Sequence, residues 1–212
     1  MINKRYKDLI EQYIHKGEPT PFSVGTIVVF ELCFLMLIVA TFSQIHFSYP
    51  QLSYSEGSGF SFIFKTVAYS PQIPIMIFII YILGKSYSVL LFLIYLIIGL
   101  FFCPIFAFGG GIDYIQNYFF GYLIGFVGAI FIAGYIFKIN QFCKTRLLGA
   151  ILGVFTIHIT GFIYCIILAI FRMIDFGIIP TIVSVISLKN IIYDIIFSSL
   201  IILIAPYVKN IL

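Results

Sequence analysis

Apolar stretches, each close to the length needed to cross a bilayer, recur along the chain from Phe22 onward. A membrane-spanning helix needs about 20 predominantly apolar residues. The stretches run over Phe22 to about Ile45, about Val67 to Leu83, Tyr87 to Phe102, Phe119 to Phe137, about Leu147 to Phe171 and Ile191 to Ala205. They predict an all-α integral membrane bundle of about six transmembrane helices.

The composition agrees with a lipid environment. Of the 212 residues, 62% are hydrophobic and only 9% are charged, and the mean hydropathy is +1.14. Soluble domains are about 25% charged, and a soluble protein of this size cannot bury so much apolar surface. We therefore expect a multi-pass protein of the cell membrane.

The charges of the connecting segments predict how the bundle is oriented in the membrane. Residues 1–20 are polar, and we expect a cytoplasmic amphipathic lead-in there, followed by one six-helix transmembrane domain over residues 21–212. Basic residues gather in the lead-in and in loops on the same side of the bundle, namely Lys85, Lys138, Lys144, Arg146 and Lys209. The positive-inside rule then predicts that both termini are cytoplasmic. The polar segment His46 to Lys65 is expected to form an exposed outer loop.

Several classes of chemistry have no motif in the sequence. We find no phosphate-binding GxxxxGK[ST], no HExxH and no GxSxG, so the pattern favours neither an ATPase nor a hydrolase. The cysteines are scattered singly, which gives no sign of a metal site or cofactor. The net charge of +4 is dispersed and forms no basic stripe for nucleic acid.

Small residues at four-residue spacing let helix backbones approach closely in lipid. Gly121 and Gly125 have this spacing in the fourth stretch, and Gly149 and Gly153 have it in the fifth. We expect both pairs to pack helices together.

Glu31 lies midway along the first apolar stretch. An acidic residue at that depth costs about 2.5–3.5 kcal/mol on insertion scales, so such residues are usually functional. The carboxylate is a candidate for proton coupling, for pairing with a partner subunit or for a structural hydrogen bond inside the bundle.

Hydrogen-bonding side chains converge on the outer ends of other stretches. Gln72 lies at the start of the second stretch, His158 in the outer part of the fifth and Asp194 near the outer end of the sixth. The glycine-rich segment before the fourth stretch adds Asn117 and Tyr118. An apolar pocket with a few convergent polar groups is the usual form of a small-molecule site.

Five motifs in a fixed order carry a resemblance to a known family. They are Ser70-Pro71-Gln72, Cys103 to Ala107 followed by Gly109-Gly110-Gly111, Phe120 to Phe126, Ile157 to Gly161 with Tyr164, and Asp194 twelve residues before Pro206. Over roughly Tyr69 to Pro206 the chain resembles the BioY family, the biotin-binding S components of energy-coupling-factor (ECF) transporters. The resemblance implies a substrate-binding subunit for biotin or a similar small vitamin, with no enzymatic activity.

The same resemblance implies roles for individual residues. Asp194 and Gln72 are the candidates for the ureido ring, with His158 and Asn117 nearby, and Tyr118, Tyr122 and Tyr164 are the candidates for the apolar walls. The lysine that the family carries three residues after the aspartate is Phe197 here. The ligand carboxylate would then need Arg172, Lys189 or the backbone N–H groups of Gly109, Gly110 and Gly111.

The family also implies partners, an ECF coupling subunit and separate ATPases. The first helix lacks the family's docking face of small residues, because Phe30, Phe34, Leu37 and Ile38 crowd it. A solitary transporter therefore stays open as an alternative, as does an S component for another vitamin. A structural or assembly subunit in which Glu31 pairs with a partner helix is a further alternative. A membrane-embedded enzyme is the least favoured, because the sequence shows no second acid or base beside Asp194 or His158.

Overall fold

A computed structural model describes residues 23–55, 59–139 and 142–211 of the chain. Its main elements are α1 (Val24–Phe42), β1 (Ile45–Ser55), β2 (Gly59–Tyr69), α2 (Gln72–Phe101), α3 (Phe119–Ile139), α4 (Cys143–Ile170), α5 (Ile179–Val183) and α6 (Ile191–Ile211). A π-helical turn, Ser184–Leu188, follows α5 and leads to α6. The predicted lead-in over residues 1–20 lies outside the described residues.

Within the described ranges, five segments are long and apolar enough to cross a membrane, namely α1, α2, α3, α4 and the segment Phe176–Ile211 that contains α6. The protein is therefore a multi-pass membrane protein, mostly helical, as predicted. The last helix is longer than expected, because it continues past Ala205 to Ile211.

The helix α2 is a helical hairpin that accounts for two of the predicted spans. Gly84 has φ 72° and ψ 177°, a conformation that breaks the helix and that glycine adopts without strain. Across the break, the Ser88 hydroxyl donates to the Ile79 carbonyl oxygen at 3.4 Å, and the Gln72 amide donates to the Tyr95 hydroxyl at 3.3 Å. The two arms therefore run side by side in opposite directions, and the predicted tight turn lies at Gly84.

The expected outer loop is a β-hairpin, so that prediction was wrong. The strands β1 and β2 pair antiparallel, with a register that runs from Ile45 opposite Tyr69 to Ser55 opposite Gly59. Alternating aromatic or β-branched and small polar residues, as in Phe60-Ser61-Phe62, are typical of strands. The predicted start of the second span at Val67 was wrong for the same reason, because β2 continues to Tyr69 and α2 begins at Gln72.

The base of this hairpin packs against α6 through aromatic rings. Phe47 stacks on Tyr193 with ring centroids 5.6 Å apart, and on Phe197 at 5.9 Å. Tyr69, at the end of β2, stacks on Phe197 at 5.3 Å. Offset ring pairs of this kind stabilise a contact beyond the area they bury, so they fix Tyr69 beside the first turns of α6.

The helices pack closely at the glycines where the sequence predicted close approach. A methyl group at Gly125 would lie 2.8 Å from Cα of Ile157, so α3 and α4 touch backbone to backbone there. At Gly121 the same group would lie 2.3 Å from Cβ of Tyr164. The expectation that these glycines pack helices together is confirmed.

The two ends of the bundle differ in charge. The break at Gly84, the start of α4 and the end of α6 share one end, and the basic residues there are Lys85, Lys138, Lys144, Arg146 and Lys209. Among the described residues this end carries no aspartate or glutamate. By the positive-inside rule it is cytoplasmic, and the β-hairpin and the glycine-rich loop lie on the outer side.

The residues expected to crowd the docking face of α1 face the bundle instead. Leu37 is fully buried, and Phe30, Phe34 and Ile38 pack against the core. The helical repeat places all four on the face that contacts α2. The prediction that these four side chains crowd a docking face was therefore wrong.

Candidate binding site

A cavity of about 770 Å³ opens at the outer end of the bundle. Its polar lining comes from Gln44, Thr66, Ser70, Gln72, His158, Lys189, Asn190 and Asp194, and its aromatic walls from Tyr69, Phe108, Tyr114, Phe119, Tyr122, Phe126 and Tyr193. Sites for small molecules typically enclose about 300–1,000 Å³. The size and the mixed lining both fit a compact organic ligand.

Asp194 joins three elements at the side of this cavity. Tyr69 donates a hydrogen bond from its hydroxyl to Oδ1 at 2.8 Å, and Nε2 of His158 lies 3.1 Å from Oδ2. The residue is 2% exposed and occupies the first turn of α6, where the helix dipole favours a negative charge. The carboxylate thereby ties β2 and α4 to α6.

Tyr69 was not among the predicted site residues. Burial of its hydroxyl and the negative charge of Asp194 raise the pKa of Tyr69 well above its ordinary value, so the hydroxyl remains a donor. Tyr69 was missed because it falls inside the apolar stretch that was predicted to span the membrane from about Val67. Its position just before Ser70-Pro71-Gln72 was the available signal.

His158 has one ring nitrogen without a partner. Because the Asp194 carboxylate can only accept, Nε2 carries the hydrogen that joins them, and Nδ1 is left as an acceptor in the neutral ring. Nδ1 is buried and has no hydrogen-bond partner in the described part of the chain. A buried ring nitrogen of this kind is costly to leave unpaired, so His158 is suited to bind a polar ligand group, which is an N–H donor when the ring is neutral.

A second set of hydroxyls and amides fixes the rest of the lining. The hydroxyls of Tyr122 and Ser187 share a hydrogen bond of 2.7 Å, which holds the π-helical turn against α3. Gln72 is oriented by its hydrogen bond to Tyr95, whose hydroxyl in turn donates to the Ile105 carbonyl oxygen at 3.1 Å. The cavity wall is therefore pre-formed.

The two basic side chains that were predicted to hold the ligand carboxylate lie in different places. Lys189 lines the cavity with an exposed side chain, just ahead of α6. Arg172 follows the end of α4 and borders a shallow depression with Asp175, outside the cavity. Phe197 belongs to the aromatic cluster with Phe47 and does not line the cavity.

The N–H groups of Gly109 and Gly111 in the glycine-rich loop bond to carbonyl oxygens of the protein rather than facing the cavity. The N–H of Gly109 donates to the Phe106 carbonyl oxygen at 3.1 Å, and the N–H of Gly111 donates to that of Gly99 at 2.9 Å. A methyl group at Gly110 would lie 2.6 Å from Cα of Pro104, which leaves room for glycine alone. None of the three glycines lines the cavity, although the preceding Phe108 does.

Three other predicted residues also lie outside the cavity lining. The Asn117 side-chain oxygen accepts from the Phe119 N–H at 3.0 Å. Tyr118 packs its ring against Phe119 at 4.6 Å, and the Tyr164 hydroxyl donates to the Ile115 carbonyl oxygen. All three shape the loop that precedes α3, so their contacts with a ligand would be indirect.

Asp194 and His158 are direct neighbours, so the expectation that neither has a second acid or base beside it was wrong. Such a pair can orient a catalytic base. Within the described ranges, however, no hydroxyl or thiol is hydrogen-bonded to His158 Nδ1, and no three metal-binding side chains cluster together.

Comparison with known proteins gives two matches. A sequence model of the BioY family matches residues 18–212. The structure is similar to a solved S-component for biotin from an ECF-type ABC transporter, with a TM-score of 0.64 and 21% sequence identity over 88% of this chain and 92% of that one. No curated protein matches the chain significantly. At this identity the structural likeness establishes a common fold.

Proposed function

The chain belongs to the BioY family, and we propose that it is a substrate-binding S component that takes up biotin from the outer side of the membrane. The observation that carries the proposal is the outer cavity, in which an anchored carboxylate and an unpartnered imidazole nitrogen share one wall. The related solved structure is named for biotin and an ECF-type transporter, which supports the same ligand and the same system here.

The chemistry of biotin fits the lining of the cavity. The ureido ring offers two N–H donors and one carbonyl acceptor, which suit His158 Nδ1, the remaining lone pairs of Asp194 and the amide of Gln72. The sulfur-containing ring and the alkyl chain need apolar contacts, which Tyr122 and Phe126 provide. This orientation leaves the ligand carboxylate towards Lys189.

Uptake against a gradient would require other proteins. The sequence has no phosphate-binding loop for ATP, so we propose that an ECF coupling subunit and separate ATPases supply the energy. Transport assays in cells with and without the coupling genes test this part of the proposal. Unchanged accumulation without them would favour a solitary transporter.

Biotin binding by the purified protein tests the site. Asp194→Asn keeps the shape of the side chain but removes its charge, and hydrogen bonds to charged groups are the strong ones. We expect its affinity for biotin to fall by about tenfold or more. Asp113→Asn is the matched control, because Asp113 is an exposed acid of the outer loop outside the cavity, and it should bind as the wild type does.

Thermal unfolding of both variants separates a binding defect from a folding defect. Equal biotin affinity in the folded Asp194→Asn variant and the wild type would remove Asp194 from the site. Failure of the wild type to bind biotin, together with binding of another vitamin, would assign a different ligand to the same cavity.

A further inference from the structure

Two basic residues at the cytoplasmic end of the bundle lie on the core-facing sides of their helices. Arg146 is near the start of α4 and Lys209 is in the last turn of α6, and both are half-buried. The helical repeat places Arg146 on the same face as the buried Ala150 and Gly153, and Lys209 on the same face as the buried Ala205. Basic side chains near the ends of spanning helices usually extend outward to water and headgroups, so this inward placement is unusual.

The acid of the first helix is placed in the opposite way. Glu31 of α1 is exposed, whereas the buried Cys33 and Leu37 lie on the other side of that helix. A hydrogen bond inside the bundle, one of the roles predicted for Glu31, does not fit this position. The charges that meet the core at the cytoplasmic end are those of Arg146 and Lys209.

Both cations approach Tyr81, a buried residue of α2 that lies three positions before the break at Gly84. Nζ of Lys209 lies 5.3 Å from the centroid of the Tyr81 ring, and Cζ of Arg146 lies 5.9 Å from it. The Lys209 ammonium also donates to the Tyr81 carbonyl oxygen at 3.4 Å. Phe137 of α3 packs edge-on against the same ring, with centroids 5.4 Å apart. The two charges are therefore held around one ring, between α2, α4 and α6.

This arrangement favours an anion between the two cations. Two positive charges beside one ring repel each other, and the repulsion grows as the local dielectric constant falls. Partial removal of each charge from water adds a further cost, which a well-placed opposite charge offsets. An anion bound by both Arg146 and Lys209 replaces the repulsion with two attractions.

The donors of the two side chains suit a phosphate group. A guanidinium presents paired N–H donors that match two phosphate oxygens. An ammonium has three donors, so that of Lys209 retains two after its hydrogen bond to the Tyr81 carbonyl oxygen. The cytoplasmic leaflet carries anionic headgroups, and basic pockets between spanning helices on that side bind such headgroups.

We propose that Arg146 and Lys209 bind the phosphate of an anionic phospholipid of the cytoplasmic leaflet, with Tyr81 beneath the headgroup. The site joins three helices at the end of the bundle opposite the cavity. It does not depend on which ligand the cavity takes.

Native mass spectrometry of the full chain, purified in mild detergent, tests the site with added phosphatidylglycerol or phosphatidylcholine. We expect the wild type to retain phosphatidylglycerol in preference to phosphatidylcholine. Arg146→Gln and Lys209→Gln should each lower the affinity for phosphatidylglycerol by about tenfold, and Arg146→Lys should lower it less because the charge remains. Lys144→Gln is the matched control, since Lys144 is an exposed residue of the same turn, and it should bind as the wild type does.

Competition with inorganic phosphate distinguishes a lipid from a free anion. Inorganic phosphate has the same oxygen acceptors but no acyl chains, so we expect it not to displace phosphatidylglycerol at equal concentration. Displacement at equal concentration would assign the site to a soluble anion and overturn the lipid assignment.

Thermal unfolding without added lipid shows which variants are folded, and Arg146→Lys and Lys209→Gln carry the test if Arg146→Gln is not. Equal loss of phosphatidylglycerol in Lys144→Gln and in the variants of Arg146 and Lys209 would show only a general effect of charge and would overturn the proposal.

The polar lead-in supplies the competing occupant, because Asp8, Glu11 and Glu18 are acids on the predicted cytoplasmic side. We expect neutralisation of all three to leave the affinity for phosphatidylglycerol unchanged. Binding of this lipid only after neutralisation would assign the two cations to the lead-in and not to the membrane.

Discussion

At the scale of single residues, the Asp194 carboxylate contacts two neighbouring side chains, and these contacts explain much of the geometry of the site. Tyr69 and His158 each use one oxygen, so the carboxylate positions both side chains before any ligand arrives. The aromatic Phe197 fits the same arrangement, because it stacks on Tyr69 and supports the donor. A lysine at position 197 would replace that packing with a charge.

In the part of the chain that the structure describes, Lys189 is the basic residue that lines the cavity. It is exposed, and exposed ion pairs contribute little because water screens them. We therefore expect Lys189→Gln to reduce the preference for biotin over its carboxamide by only about two- to fivefold. Competition binding with the two ligands measures this preference. Arg172→Gln, outside the cavity, should leave it unchanged, and an equal loss in both variants would contradict the assignment.

At the scale of elements, α3 approaches α4 backbone to backbone at Gly125. An added methyl group would meet the backbone of Ile157 at 2.8 Å, and backbone cannot move aside as a flexible side chain can. We expect Gly125→Ala to lower the free energy of unfolding by about 1–3 kcal/mol, measured by thermal unfolding in detergent. In Gly25→Ala the nearest described atom to the new methyl group would be Ser23 Oγ at 3.8 Å, so this control should not be destabilised. Equal stability of the two variants would show that the helices can separate.

The helices were predictable because lipid selects directly for long apolar stretches, and the polar residues at their outer ends pointed to the cavity. The β-hairpin was missed, because small polar residues between aromatic ones resemble a loop when no partner strand is known. The contact between His158 and Asp194 joins residues 36 positions apart, which no local pattern reveals. Tyr69 was missed with the hairpin, because its role depends on where β2 ends.

For the whole molecule, orientation decides which compartment the cavity serves. Cys103 is exposed in the outer loop and Cys143 is exposed at the cytoplasmic start of α4, whereas Cys33 and Cys165 are buried. In intact cells a membrane-impermeant maleimide should label Cys103 and should label Cys143 only after permeabilisation. The variants Cys103→Ser and Cys143→Ser identify the labelled site. The reverse pattern would place the cavity on the cytoplasmic side.

The break at Gly84 also has a consequence for biogenesis. The first arm of α2 has 12 residues from Gln72 to Leu83, which is about 18 Å of helix, whereas the hydrocarbon core is about 30 Å thick. Its side chains from Met76 to Leu83 are buried among the other helices, so this arm gains little from contact with lipid. We therefore expect the two arms of α2 to enter the bilayer together, as one hairpin.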